Sequence, residues 1–216
     1  PVAVPQRRFH AFDSKHKNAG GRLPNRANKA LLDELKDSDL VLVIGERMLP
    51  SMTQNFSFPK APVADQPFIH VWPDAEEVGR AYSPTLGIAA EPRVFLQAML
   101  DAGPGDVPPS RSGWVEKLNG LHKENMTWRG KSSNDGLVFG NVIAAIDKHM
   151  TDTAVVTCDA GNFSSWMAQY LNMGPGKMFV GATVGAMGPG VPSAVAAGIC
   201  SPGRQVVAFC GDGGVL

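Results

Sequence analysis

Residues 204–216 read RQVVAFCGDGGVL: an apolar run from Val206 to Cys210 meets Gly211-Asp212-Gly213-Gly214. The run has the length and β-branched content of a buried strand. The lone acid among three glycines is the question it raises. Taken alone, Gly-Asp-Gly is a turn signature, because both residue types suit reversals. Two earlier stretches share the design: CDAGNFSSW (158–166) follows the apolar run TAVVTC (153–158), and GATVGAMGPGVP (181–192) follows KMFVG (177–181). Each apolar run thus ends in glycines.

Helical patterns separate these runs, near 137–149, 163–171 and 190–200. From Gly136 onward there are three basic residues (Lys148, Lys177, Arg204) and four acids (Asp147, Asp152, Asp159, Asp212). Sparse charge and near-continuous apolar strands suit a parallel sheet covered on both faces. The first hundred residues alternate similarly: apolar runs at 1–4, 39–45 and 68–72, and helical patterns at 26–36, 75–80 and 92–102, the last opened by Pro92. GPGDVPPSR (103–111) has the composition of a linker, and Trp114, Leu118 and Leu121 place a connecting helix over 112–129. The expected fold class is α/β, two doubly wound parallel-sheet modules. Their expected boundaries are 1–103 for the first, 104–135 for linker and connecting helix, and 136–216 for the second.

With 44% hydrophobic residues and a formal net charge of zero, the chain has no electrostatic basis for binding nucleic acid. No apolar stretch is long enough to span a bilayer, and no signal peptide opens the chain. Cys158, Cys200 and Cys210 show no CxxC spacing and read as buried thiols of a reducing, cytoplasmic compartment. The five histidines have no metal-ligand spacing, and Ser164 and Ser165 lie in no GxSxG. Trp114 and Trp128 read as packing residues.

In a doubly wound sheet, ligands sit beyond the carboxyl ends of strands. Glycine turns there expose backbone N–H groups to a phosphate, and one adjacent carboxylate suits Mg²⁺. Each loop alone is equally well a turn: residues 185–190 read GxxGxG rather than GxGxxG, and no GxxxxGK[ST] occurs. The order DAGNF, GAMGPGVPSAVAAG, VVAFCGDGG resembles the diphosphate-binding module of the thiamine diphosphate enzymes of acetolactate synthase, pyruvate oxidase and benzoylformate decarboxylase type. LLDELKDSDLVLVIGERM and FIHVWPDAEEVGRAYSPTLGI resemble the second half of that family's central domain. The likeness is greatest to bacterial acetolactate-synthase-like proteins.

The resemblance implies an α/β enzyme using thiamine diphosphate and Mg²⁺ to decarboxylate or carboligate a small 2-oxo acid, as a homodimer or homotetramer. It assigns Asp212 to the metal and Gly211, Gly213 and Gly214 to close backbone approach. Gly161, Asn162 and Phe163 fall where the family touches the diphosphate; Phe163 replaces the usual polar residue, leaving its backbone as the contact. In GAMG, the carbonyl partner of the aminopyrimidine falls on Gly185, Ala186 follows, and the bulky side chain that bends the cofactor is Met187. Trp72 and Pro73 stand where flavin-binding members often carry an acid, although Asp74 follows, so no FAD is expected. The family's activating Glu and its second metal ligand, an Asn beyond GDG, have no counterpart in these residues. The chain, which begins with Pro1, is therefore expected to be part of a longer protein, with no catalytic residue of its own and inactive alone. The alternative is a non-catalytic doubly wound module, nucleotide-binding or structural, whose glycines only turn the chain.

Overall fold

The structure, a computed structural model, describes residues 1–24, 27–106, 108–134, 136–182 and 185–215. Arg26, with which the first expected helix opens, lies outside them, as do Thr183 and Val184 of the second glycine loop, Val107 and Asp135 of the expected linker, and Leu216.

In chain order the elements are β1 (Val2–Pro5), β2 (Ala19–Leu23), α1 (Lys29–Lys36), β3 (Val41–Ile44), β4 (Phe68–Trp72), β5 (Leu86–Ala89), α2 (Pro92–Ala102) and α3 (Ser110–Met126). There follow α4 (Phe139–His149), β6 (Val155–Cys158), α5 (Asn162–Tyr170), β7 (Met178–Gly181), α6 (Gly190–Cys200), β8 (Val206–Phe209) and a single turn, α7 (Asp212–Val215). Contacts divide the chain into two units, Leu23–Trp114 and a second formed by Pro1–Arg22 with Val115–Leu216. This division differs from the boundaries expected from sequence, because the first 22 residues pack with the second module.

In the Leu23–Trp114 unit, β3, β4 and β5 form a parallel sheet in that order. Asn28 caps α1, its side chain accepting from the N–H groups of Ala30 and Leu31, and the helix buries Leu31 and Leu35. α2 opens on Pro92 and ends at Gly103, whose φ is 74°. The expected helix over 75–80 is instead a set of turns. Asp74 Oδ1 accepts from Glu76 N–H at 2.9 Å and Gly79 takes φ 86°, so a local side-chain bond competes with helix propagation. Two strands went unread in the sequence. β5 (LGIA) has weak strand propensity, but its Gly87 admits the Val78 side chain, which would stand 2.6 Å from a Cβ. β2 (AGGRL) pairs with β1, and a Cβ on Gly20 would meet the Pro1 ring at 2.7 Å.

In the other unit the parallel sheet runs β7–β6–β8. The chain leaves β6 for β7 on one side and then crosses to β8 on the other, so the strand order reverses at β6. That reversal is the topological switch point at which open α/β sheets bind ligands. β6 is wholly buried. Val156 and Cys158 pack into one core with Ile143, Met167, Leu171, Met173 and Phe209. Phe9 and Val4 complete that core. Ser14 stitches the N-terminal segment on: its N–H donates to Met173 O at 2.9 Å, and its hydroxyl oxygen accepts from Met173 N at 3.1 Å. The buried Arg22 guanidinium lies over the Phe9 ring and donates to the carbonyls of Ala168 and Leu171 at the end of α5. It thereby satisfies orphan carbonyls of that helix.

Candidate functional site

Three loops emerge at the carboxyl ends of β6, β7 and β8, and Asp159 joins them. It follows β6 directly, and its backbone N–H donates to Phe209 O, at the end of β8, at 2.9 Å. Its Oδ1 accepts the N–H of Gly190, the first residue of α6, at 2.6 Å. The next residue, Ala160, donates to Ala186 O at 3.3 Å. Inside the sheet, Thr157 Oγ1 donates to Gly190 O at 2.9 Å, so both polar groups of Gly190 are held from β6 and its loop.

The glycines are fitted to this junction. A Cβ on Gly190 would lie 2.6 Å from Cys210 Sγ and 2.9 Å from Asp159 Oδ1, and one on Gly214 would overlap Asp159 Oδ2. The Phe163 ring lies against Gly161 and would stand 3.3 Å from a Cβ on Gly211, so it bridges the first and third loops through apolar contact. Gly185 (φ 71°) and Gly188 (φ 99°) take left-handed backbone that other residues resist. Arg7 NH2 lies 3.1 Å from where a Cβ of Gly185 would be.

The ten residues singled out in the sequence therefore lie on one rim of one sheet. Gly161, Asn162 and Phe163 open α5; Gly185, Ala186 and Met187 precede α6; Gly211 to Gly214 follow β8. The Met187 side chain is 67% exposed, and its sulfur lies 3.8 Å from the Cβ position of Gly213. Asp212 is exposed at the start of α7. The sequence reading passed over Asp159, Thr157 and Arg7. The only local signal for Asp159 was an acid directly after an apolar strand.

Among the described residues no group of three or more His, Cys, Asp or Glu side chains could hold a metal. Nor does a thiol offer a nucleophile here. Burial, aided by Asp159 and Cys210, pushes Cys158 up to about 12, and burial with Asp159 also raises Cys210. Of the three thiols expected to be buried, Cys200, the last residue of α6, is exposed and Cys210 is half-buried. A cavity of about 350 Å³ lined by Lys15, His122, Trp128, Asp147 and Tyr170 shares no residue with the three loops.

Residues 1–99 match the family described as thiamine pyrophosphate enzyme, central domain, and residues 159–216 match thiamine pyrophosphate enzyme, C-terminal TPP binding domain. The chain belongs to the thiamine pyrophosphate enzyme family. The second match opens on Asp159 and contains all three glycine loops. Relatives of this family member include protein YdaP of Bacillus subtilis (strain 168), whose name associates it with thiamine pyrophosphate, at 24% identity over 99% of this chain. The acetolactate synthase large subunit of Parasynechococcus marenigrum is 25% identical over 100% of the chain. The acetolactate synthase isozyme 1 large subunit of Escherichia coli (strain K12) is 28% identical over 84%. The chain spans about a third of these relatives' lengths, 36%, 34% and 31% respectively. No helix among the described residues is long and apolar enough to cross a membrane.

The loop rim fits such a cofactor on one observation: at Gly188 and Gly213 a side chain would fill space that is open, with only the Met187 thioether near.

Proposed function

We propose that the intact protein is a thiamine diphosphate- and Mg²⁺-dependent enzyme acting on a 2-oxo acid, by decarboxylation, carboligation or both, for which this chain supplies the diphosphate-binding half of the site. The observation that carries the reading is the meeting of three strand-end loops on Asp159, with Asp212 and Met187 exposed beside them. In family terms, residues 1–103 are the later part of the central domain, 104–135 link it onward, and 136–216 begin the diphosphate-binding module.

Asp212 would hold Mg²⁺, which takes one or two carboxylates together with phosphate oxygens and water. Backbone of Gly161, Asn162, Phe163, Gly211, Gly213 and Gly214 would approach the diphosphate. The Gly185 carbonyl would orient the aminopyrimidine, and Met187, beside Ala186, would press against the rings with a thioether that adapts to irregular gaps. When bound, thiamine diphosphate supplies the carbanion-stabilising chemistry; these residues hold and shape it. The 216 residues alone would bind it weakly, with Asp212 as sole side-chain ligand to the metal, and would turn over no 2-oxo acid.

The deciding measurement is calorimetry on Asp212→Ala in the intact protein. Thiamine diphosphate binding that depends on Mg²⁺ should be abolished while the melting temperature barely moves, because an exposed loop acid contributes within about 0.5 kcal/mol to stability. Unchanged affinity would favour a non-catalytic doubly wound module.

A further inference from the structure

Asp159 is 3% exposed, and its two carboxylate oxygens are held unequally. Oδ1 accepts from Gly190 N–H, where the first turn of α6 favours negative charge, and the Cys210 thiol lies within hydrogen-bonding reach of the carboxylate. Oδ2 accepts nothing among the described residues. A buried carboxylate oxygen without a donor is costly and calls for a reason. The surroundings narrow that reason. Oδ2 faces Gly214, at a separation that admits only a residue without a side chain, and the position of the excluded Cβ is 3.4 Å from Gly188 N. The free oxygen thus lies between the second and third loops, at Gly188 and Gly214.

Building on the thiamine diphosphate reading, we propose that Asp159 is a positioning residue that registers the three loops, its Oδ2 reserved for a backbone N–H of Asp212 or Gly213 when diphosphate and Mg²⁺ seat. The Gly214 N–H is already donated to Gly211 O at 3.0 Å. Oδ1 fixes the start of α6, and through it the loop carrying Met187. Oδ2 then fixes the turn carrying Asp212. One buried side chain would set the spacing between Met187 and Asp212. Partners of this kind, which orient a ligand without touching the metal, change metal affinity by about 10–100-fold.

Two measurements on the intact protein test this. In Asp159→Asn, the volume and one acceptor remain, but an NH₂ can replace the free oxygen. Affinity for thiamine diphosphate with Mg²⁺ should fall about 10–100-fold at a nearly unchanged melting temperature. Hydrogen exchange at Asp212 and Gly213 should slow on cofactor addition in the parent and not in the variant, with Gly214 N–H, already donated to Gly211 O, as the reference. An Asn variant that binds within twofold of the parent, or that gains the same amide protection, overturns the proposal even if it melts lower. The second measurement needs no cofactor: a melting cycle of Asp159→Ala, Gly214→Ala and the double variant. The proposal requires the Gly214→Ala loss to shrink once the carboxylate is gone, since the overlap is with Oδ2. Additive losses overturn it. A parent that does not bind thiamine diphosphate defeats the functional reading and, with it, the cofactor-driven contact, while coupling in the cycle would still establish the loop register.

Discussion

Met187 separates two physical roles that one loop sequence allows. A methionine in a Gly/Pro-rich stretch can be core filler, and losing a buried one costs about 2–5 kcal/mol. Here the side chain is exposed and rests near Gly213, so its truncation removes little folded-state packing. Met187→Ala is expected to leave thermal stability within about 0.5 kcal/mol of the parent and to weaken thiamine diphosphate binding measurably. A melting curve beside a calorimetric titration distinguishes this from a packing role. Phe163 shows the converse. The residue that departs from the family's polar pattern packs against the core and lies beside two loop glycines, so its contribution to the site is to set backbone positions.

A pH response is expected of α3. His122 is buried on this helix and its Nε2 lies 2.9 Å from Ser14 O. Burial holds its pKa below the usual 6.5; Arg22 and Lys123 lower it further, against a raising effect of the Ser14 carbonyl. His10, in the middle of the N-terminal segment, is lowered by burial and by Arg8. For a base whose folded pKa is depressed, the unfolded chain binds more protons just below pH 6.5. The stabilising effect of keeping these rings neutral is therefore complete above that value and is lost as pH falls toward the folded pKa. Melting temperature should decline from pH 7 to pH 5, and the decline should be shallower in His122→Asn. Equal slopes in parent and variant would assign the acid sensitivity elsewhere. Ser14 also ties the segment to Met173, so the same variant should raise hydrogen exchange at Met173 N–H.

The division of the chain has a consequence for stability. Phe9 is fully buried in the core that supports β6 and α5, and Arg22 satisfies carbonyls at the end of α5. Phe9→Ala should destabilise the unit carrying the glycine loops by about 3–5 kcal/mol, seen as faster exchange of the Val155–Cys158 amides. The amides of β4, in the Leu23–Trp114 unit, serve as the internal reference. If only β4 responds, the assignment of the N-terminal segment to the loop-bearing unit is wrong.

Local composition by itself determined the α/β class, the parallel strands within the apolar runs 68–72, 153–158 and 206–210, and the order of the glycine loops with Asp212 among them. Strand propensity, apolar runs and glycine punctuation act over a few residues, and each can be read where it stands. The tertiary structure decided the rest. β5 and β2 are poor strands in isolation and exist because β4 and β1 offer a ladder. Residues 75–80 carry a helical pattern that the Asp74 side chain and Gly79 cut to turns. The N-terminal segment joins the second unit because Phe9, Ser14 and Arg22 find partners more than 140 residues away. Asp159, an unremarked acid in the sequence, became the junction of the site because burial and the approach of Gly190 and Gly214 are properties of folded neighbours. No window of sequence contains them, since the contacts that define that carboxylate come from three loops separated by two crossover helices.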